Sequence, residues 1–365
     1  MQLSYCLKML RINIQFLGAT LNKLEQKEYA KSVIMNSILV IHKTVFRSIC
    51  RLNQLTIIRK MGGGGYMYIS VEEACNKWNI TRDALLGLLN ENKIFGAVLN
   101  KNNEYEIPMY AENPYELSNK NLLDVIDQKL KQLNKLRELC FSEKNRFLND
   151  FSIENTFNSN AIEGSTLTLR ETVLALQGIT IDTKPLKYHL DAIGHKQAFD
   201  YILELVDNNE ELTERRIKDI HFLVLANKRV DAGRYRNMQV SILGSEHKPT
   251  SPYLIESKMK QLLDEYKNST ENLIVKIAKF HLDFESIHPF IDGNGRTGRL
   301  LLNLELMKNG FPPIDIKYTN RTKYYQCFDD YHITNSPSSM VDLIANYLII
   351  QLNYQIDIRN QGTSN

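Results

Sequence analysis

The chain has 365 residues, enough for two or three domains, and 43% hydrophobic with 24% charged residues, 17 Gly and 9 Pro exclude a disordered or fibrous protein. Cys6, Cys50, Cys75, Cys140 and Cys327 are odd in number, far apart and free of any C-x-x-C pair, which excludes a disulfide framework or zinc knuckle and points to a reducing cytoplasm. The net charge of +3 is uneven: residues 1–66 hold ten Lys or Arg against two Glu, a balance of +8, so the rest carries −5 and offers nucleic acid no broad electrostatic surface.

Residues 1–66 read as a basic helical extension without clear caps. The longest apolar run, 32–46, is interrupted by Asn36, His42 and Lys43, short of the roughly 20 residues of a membrane span. No small-residue cleavage site follows a short apolar region, so neither membrane insertion nor secretion is expected. The four glycines at 62–65 form a flexible break. They are read either as a linker or as the translated image of a G-rich ribosome-binding site ahead of a start at Met67, in which case 1–66 is not translated in vivo.

Residues 67–112 form the next unit. Ser70 and Glu73 make a capping box, Val71, Ala74, Cys75 and Trp78 an apolar helical face, and 79–81 the turn into a second helix over 82–90. Segments 94–98 and 105–108 read as two short strands around a polar turn at 100–103, a small wing. This stretch resembles the helix-turn-helix modules of the excisionase and MerR type, which implies DNA binding. Its four basic and seven acidic residues, with Arg82 alone on the second helix, favour a protein-contact role instead. Residues 113–152 are expected to form a connecting helix, since Leu122, Val125, Ile126, Leu130, Leu133, Leu136 and Leu139 recur at helical period over 121–149.

Helical patterns continue to Ile358, interrupted at 236–253, where Val240, Ile242, Pro249 and Pro252 suggest an extended hairpin. The densest chemistry lies at 288–299, HPFIDGNGRTGR. Ile274, Ile277, Ala278, Phe284 and Ile287 fit a helix before it, and Leu300, Leu301, Leu304 and Met307 a helix after it. Gly293 and Gly295 permit a tight turn, and the N–H groups opening the second helix make an anion site suited to phosphate. Arg296 and Arg299, three apart in the first turn of that helix, are expected on a common side and can clamp further phosphate oxygens. Asp292 would repel phosphate unless a hard cation lay between them, so it reads as a Mg2+ ligand. His288 suits a general base near neutrality. The G-x-G-x-x-G of 293–298 is not a dinucleotide fingerprint, because a helical pattern precedes it. His281, Asp283, Glu285 and His288 lack metal-site spacing, and Asp283 and Glu285 are expected to face solvent.

The segment carries the H-x-F-x-[DE]-G-N-G-R-x-x-R signature and resembles that of Fic domains, an all-helical family whose usual activity is transfer of AMP from ATP to a protein hydroxyl. The similarity extends from Ser159 to about Ile358 and includes 233–236, GRYR, and Tyr324-Tyr325. It implies His288 as base, Phe290 as core anchor, Asp292 on Mg2+, and Gly293, Asn294, Gly295, Arg296, Thr297, Gly298 and Arg299 around the nucleotide. It also implies a flap at Val240, Ser241, Ile242 and Leu243 that aligns a target segment, with Tyr324 near the nucleoside. Some eukaryotic relatives carry an Asn seven residues past the second tyrosine, where this chain has His332. Ser159 and Glu163 in SNAIEG, 159–164, resemble the [ST]-x-x-x-E-[GN] inhibitory helix of one class, whose glutamate pairs with the second arginine, here Arg299.

The expected fold is therefore mainly α: an all-helical core at 153–358 with a small β-hairpin flap and an inhibitory helix at 153–164, preceded by the winged module. The expected activity is an autoinhibited, Mg2+-dependent protein adenylyltransferase using ATP on a Ser, Thr or Tyr hydroxyl. Removal of AMP, transfer of another nucleotide, or a DNA-binding regulator with a nucleotide-sensing core are the alternatives. Self-modification and a homodimer are compatible with the sequence.

Overall fold

The computed structural model describes residues 68–361 apart from 92, 101, 119, 226, 227, 229 and 243–246. The basic extension, the glycine break, Met67 and Leu243 lie outside the described residues.

Strand β1 (Tyr68–Ser70) leads into α1 (Val71–Trp78), which starts where the sequence places it: Glu73 N–H donates to Ser70 Oγ (3.2 Å) and Ser70 N–H to the Glu73 carboxylate (2.7 Å). Asn79 at φ 51° ends α1, and Thr81 caps α2 (Arg82–Asn90). Strands β2 (Val98–Leu99) and β3 (Tyr105–Pro108) follow, and the antiparallel sheet has the order β1-β3-β2. Two details differ from expectation. Gly96 turns at φ +76° beside Pro108 and Ile94 is buried in the module's core, so the strand expected over 94–98 is confined to Val98–Leu99. The unforeseen β1 pairs with β3. Arg82, the basic residue of α2, is paired with Glu72.

The module shares its core with the chain's last helix. Val71, Ala74, Leu85, Leu88, Leu89 and Ile107 pack with Ile350, and Tyr110 Oη donates to Asp357 Oδ2 at 2.9 Å. Helix α3 (Pro114–Leu117) leads to α4 (Leu122–Leu133) and then α5 (Phe141–Ile162). The single connecting helix expected over 113–152 is thus broken between Leu133 and Phe141, and the segment expected as a separate inhibitory helix is the C-terminal part of the 22-residue α5. The break has local causes. Cys140 N–H donates to Glu143 Oε2 (2.9 Å), and Arg137 forks onto both Glu143 oxygens at 2.7 and 2.8 Å, starting a new helix. Meanwhile Val125, Ile126 and Leu133 of α4 join the cluster that holds Leu343, Ile344 and Leu348.

The remainder is helical: α6 (Leu169–Leu176), α7 (Leu186–Asp207), α8 (Glu214–Val224), α9 (Ile255–Asn268), α10 (Leu273–Ile287), α11 (Asn294–Lys308), α12 (Arg321–Thr334) and α13 (Ser338–Gln361). Helices α10 and α11 lie between two hydrophobic clusters. Ile274, Ile277, Leu282, Leu302 and Leu306 face one, shared with α4, α12 and α13; Phe280, Phe284, Ile287, Leu300, Leu301 and Leu304 face the other, shared with α7, α8 and α9. With both helices packed against a cluster on either side, their connecting turn is held from two sides. The fold is mainly α, with the one sheet among the described residues in the N-terminal module. No helix among the described residues is long and apolar enough to cross a membrane.

Ile350 is 3% exposed, so Ile350→Ala is expected to cost about 2–4 kcal/mol. Hydrogen exchange should show protection lost first at α1 and α2; uniform loss across α10 and α11 instead would mean that Ile350 serves the main core rather than the module.

Candidate functional site

The turn between α10 and α11 begins at His288, which closes α10 with its N–H on the Phe284 carbonyl (3.0 Å) in the left-handed region, φ 51° and ψ 60°. A residue other than glycine there costs about 1 kcal/mol, and Arg236 holds it. The buried Arg236 guanidinium donates to the carbonyls of His288 (2.8 Å), Met238 (2.9 Å) and Thr250, and the Arg236 backbone N–H donates to the Pro289 carbonyl (3.0 Å). One arginine therefore ties this turn to both ends of the 238–250 segment. Among the described flap residues, Val240, Ser241 and Ile242 have no regular secondary structure, and Gln239 Nε2 reaches across to the Pro249 carbonyl at 3.1 Å.

Phe290 is fully buried and stacks on His221 of α8, ring centroids 3.6 Å apart and nearly parallel at 5°. His221 Nδ1 accepts from Gly233 N–H (2.9 Å), so Nε2 carries the proton and donates to the Asp292 carbonyl (2.9 Å). Burial lowers its pKa to about 4, the nearby Arg296 charge adding to the effect against that carbonyl hydrogen bond. Asn294 braces the turn from inside: its side chain accepts from Phe290 N–H and donates to Phe290 O, both at 2.9 Å. Gly293, at φ +81°, opens α11.

The charged residues of the turn are already engaged. Burial opposes ionisation of Asp292, but the Lys228 hydrogen bond (2.8 Å) and the Arg296 charge outweigh it and hold the carboxyl down at about 2. Arg296, 3% exposed, spans Asp292 Oδ1 (3.0 Å) and Asp191 of α7 (3.2 Å). Arg299 points to the other side: Nε donates to Ser159 Oγ (3.0 Å), Nη2 to the Ser159 carbonyl (2.9 Å) and Glu163 Oε1 (2.8 Å), and Nη1 approaches Tyr324 Oη (3.5 Å). The two arginines thus do not share a side as their spacing suggested. Glu163 Oε1 lies directly over Gly295, where any Cβ would overlap it. The carboxylate occupies the place the sequence assigned to an anion.

Other expected site residues fall in different surroundings. Tyr324, expected beside the nucleoside, is 1% exposed and bonded to His281 Nε2 (2.8 Å). Tyr325, 45% exposed, is the open ring and donates to the Ile162 carbonyl at 3.1 Å. Thr297 is fully buried, and Gly298 lies against α10, where a Cβ would stand 2.5 Å from Glu285 Oε1. Glu285 is therefore turned inward rather than to solvent, and Asp283 accepts from Tyr331 Oη (2.6 Å). His332 stacks on His247, centroids 3.9 Å apart, and His247 Nε2 bonds the Ser286 carbonyl at 2.9 Å. Sequence reasoning missed His221, Asp191, Lys228 and Glu285. The GRYR segment was the one signal that pointed to Arg236.

The assembled site places a half-buried imidazole, His288, beside a helix N-terminus, with one ionised carboxylate at the turn and a second carboxylate in the anion position. Burial lowers the His288 pKa to about 4, leaving the ring neutral and able to accept a proton. Among the described residues no group of three or more His, Cys, Asp or Glu could hold a metal by itself. A single carboxylate beside a phosphate site is nonetheless a donor set that Mg2+ accepts, completing its shell with phosphate oxygens and water.

Residues 211–306, which run from just before α8 to near the end of α11, match the family model described as the Fic/DOC family. The curated relatives include a protein adenylyltransferase Fic of Nematostella vectensis, 34% identical over 56% of this chain and 49% of its own length. Another is the protein adenylyltransferase fic-1 of Caenorhabditis elegans, 34% identical over 49% of this chain and 36% of its own length. The chain thus spans half or less of these two relatives. Among solved structures, a Fic domain containing signaling protein from Bacteroides thetaiotaomicron superposes with a TM-score of 0.60 at 26% identity, covering 66% of this chain and 98% of that one. Fic-1 of C. elegans superposes with a TM-score of 0.55 at 27% identity, covering 66% and 72%.

His221 binds a proton less readily when folded than its ordinary pKa near 6.5, so its stabilising contribution is full above pH 6.5 and is lost as pH falls toward 4. The loss is on the order of 3 kcal/mol. Urea midpoints at pH 7, 5.5 and 4.5 should fall accordingly, and His221→Phe should flatten the slope; an unchanged slope would remove His221 from the cause.

Proposed function

We propose that the protein is an autoinhibited protein adenylyltransferase, moving AMP from ATP to a hydroxyl of a target protein. The observation that carries this reading is the Glu163 carboxylate lying over Gly295 in an ion pair with Arg299 at 2.8 Å, within the turn that bears His288. The match of residues 211–306 and the adenylyltransferase relatives support the reaction class.

In the proposed reaction His288 Nε2 takes the proton of a Ser, Thr or Tyr hydroxyl as its oxygen attacks the α-phosphorus of ATP. The new O–P bond forms as the bond to the bridging oxygen of the β-phosphate breaks, and pyrophosphate leaves. The backbone of Gly293, Asn294 and Gly295 at the start of α11 receives phosphate oxygens, and Arg299 holds the outer phosphates once Glu163 has withdrawn. Asp292 is the residue that would hold Mg2+, whose contribution is charge neutralisation on the phosphates. Its present partners Lys228 and Arg296 supply that positive charge in the resting arrangement. Tyr324 acts from within the core through Arg299 and His281.

The flap residues Val240, Ser241 and Ile242, tied at their base by Arg236, present backbone to a target segment, which can add alongside as a strand. The N-terminal module is assigned a protein-contact role rather than DNA binding, because Arg82 is spent on Glu72 and the module is acidic. Cys75, Cys140 and Cys327 are free thiols, in keeping with a cytoplasmic setting.

With Mg2+ and α-labelled ATP in lysate, Glu163→Gly is expected to raise labelling of target or self roughly tenfold or more, the scale of a 1–3 kcal/mol coupling. Adding His288→Ala should abolish it. Equal labelling by wild type and Glu163→Gly would remove the brake, and no labelling in either would remove AMP transfer from ATP.

A further inference from the structure

We infer that Tyr325 is a positioning residue for the brake, its hydroxyl securing the end of α5 that carries Glu163. The inference rests on the proposed role of Glu163 and names what holds that residue in place. Helix α5 ends at Ile162, with Glu163 as its C-cap and Gly164 beyond it in the left-handed region at φ +89°. Two backbone bonds close this end in the Schellman pattern: Gly164 N–H to the Ala161 carbonyl (3.0 Å) and Ser165 N–H to the Asn160 carbonyl (2.9 Å). The Ile162 carbonyl is left without a backbone donor among the described residues. Tyr325 Oη takes it at 3.1 Å, reaching across from α12. A carbonyl oxygen can only accept, so the hydroxyl donates. Burial and then the Glu163 charge raise the pKa of that hydroxyl, which keeps its proton in place near neutrality.

This bond stands one residue from the brake. Earlier turns of α5 are held by buried groups: Asn155 and Asn158 on Asp315, and Ser159 on Arg299. The last turn is held from the open side, since Tyr325 is 45% exposed and the Glu163 side chain 37%. Tyr324, next to it on α12, is buried and places its Oη 3.5 Å from Arg299 Nη1. Two consecutive tyrosines thus address the two members of one ion pair. Tyr324 meets the cation from inside the core, and Tyr325 holds the backbone from which the carboxylate projects.

The direction of the effect follows from the competition at Arg299. Glu163 reaches that guanidinium at 2.8 Å from the C-cap of a helix, so its hold depends on how closely the helix end is confined. Without the Tyr325 hydroxyl the last turn explores more positions, and the ion pair pays more ordering entropy each time it forms. A phosphate then displaces Glu163 more readily, because the binding-competent arrangement is more populated. The effect passes through Glu163 alone. With that carboxylate removed, the Tyr325 bond has nothing left to restrain.

The test is a double-mutant cycle in the full chain. Tyr325→Phe, which keeps the ring, is expected to tighten binding of a non-hydrolysable ATP analogue with Mg2+ by calorimetry and to raise labelling from α-labelled ATP. Each should change roughly two- to tenfold, the scale of one hydrogen bond. In the Glu163→Gly background the same substitution should change neither. Hydrogen exchange in Tyr325→Phe should quicken at residues 163–167 and stay as it was in α10 and α11. No change in analogue binding, an equal change in both backgrounds, or faster exchange across α10 and α11 overturns the inference. Gly164→Ala loosens the same helix end without touching α12: its Cβ would meet nothing within 4 Å, so the strain is in the left-handed backbone alone. If it leaves analogue binding unchanged where Glu163 is present, the inference is overturned equally. If binding and exchange respond as expected while no label appears, the reaction assignment fails and the Tyr325 support stands.

Discussion

Arg299 is 3% exposed, and a buried cation is tolerated only when its donors are answered by well-placed acceptors. Ser159 answers through both hydroxyl and carbonyl, Glu163 through its carboxylate and Tyr324 at longer range. These acceptors come from α5 and α12, so satisfying one side chain on α11 fixes where two other helices sit. The rest of α5 is anchored by the same logic. Asn155 and Asn158 donate to the buried Asp315 at 3.1 and 2.7 Å, and Lys317 pairs with both Asp315 and Glu154. The end of α5 is consequently a precise support for Glu163 rather than a frayed terminus. In the proposed reaction the phosphates of a nucleotide offer Arg299 the same negative charge, and the brake is a competition between two anions for one cation.

Three histidines around this turn differ in their surroundings because burial and partners differ. His221 is a neutral connector, fixed in one tautomer between Gly233 and Asp292 and stacked on Phe290. His281 is a neutral connector in the core, joined to Tyr324. His288, 21% exposed at its side chain, is the one of the three that reaches the open side. Its left-handed backbone is maintained by Arg236, whose other bonds run to the flap segment. His288 and the flap segment are thereby positioned by one group, which gives their relative geometry little freedom to drift.

Much of the helical architecture was legible locally. The capping box at Ser70 and Glu73, the helix pair flanking the turn, and the glycines at 293 and 295 are short-range patterns whose physics is contained within a few residues. The break between α4 and α5 was not, because a continuous Leu period over 121–149 masked the competing cap at Cys140 and Glu143. The inward turn of Glu285 was missed for a related reason: a charged residue on a helix reads as solvent-facing unless the neighbouring helix is known.

The sequence by itself determined the residues of the turn and their order, from His288 through Asp292 and the two glycines to Arg299, since a helix–turn–helix segment carries its chemistry in spacing alone. Only the tertiary structure decided which of those side chains face the open site. Asn294 turns back onto Phe290, Arg296 is taken up by Asp191 from 105 positions away, and Tyr324 is buried behind Arg299. Such partners are chosen by how buried charges and polar groups are satisfied across packed helices, and no pattern along the chain records that choice.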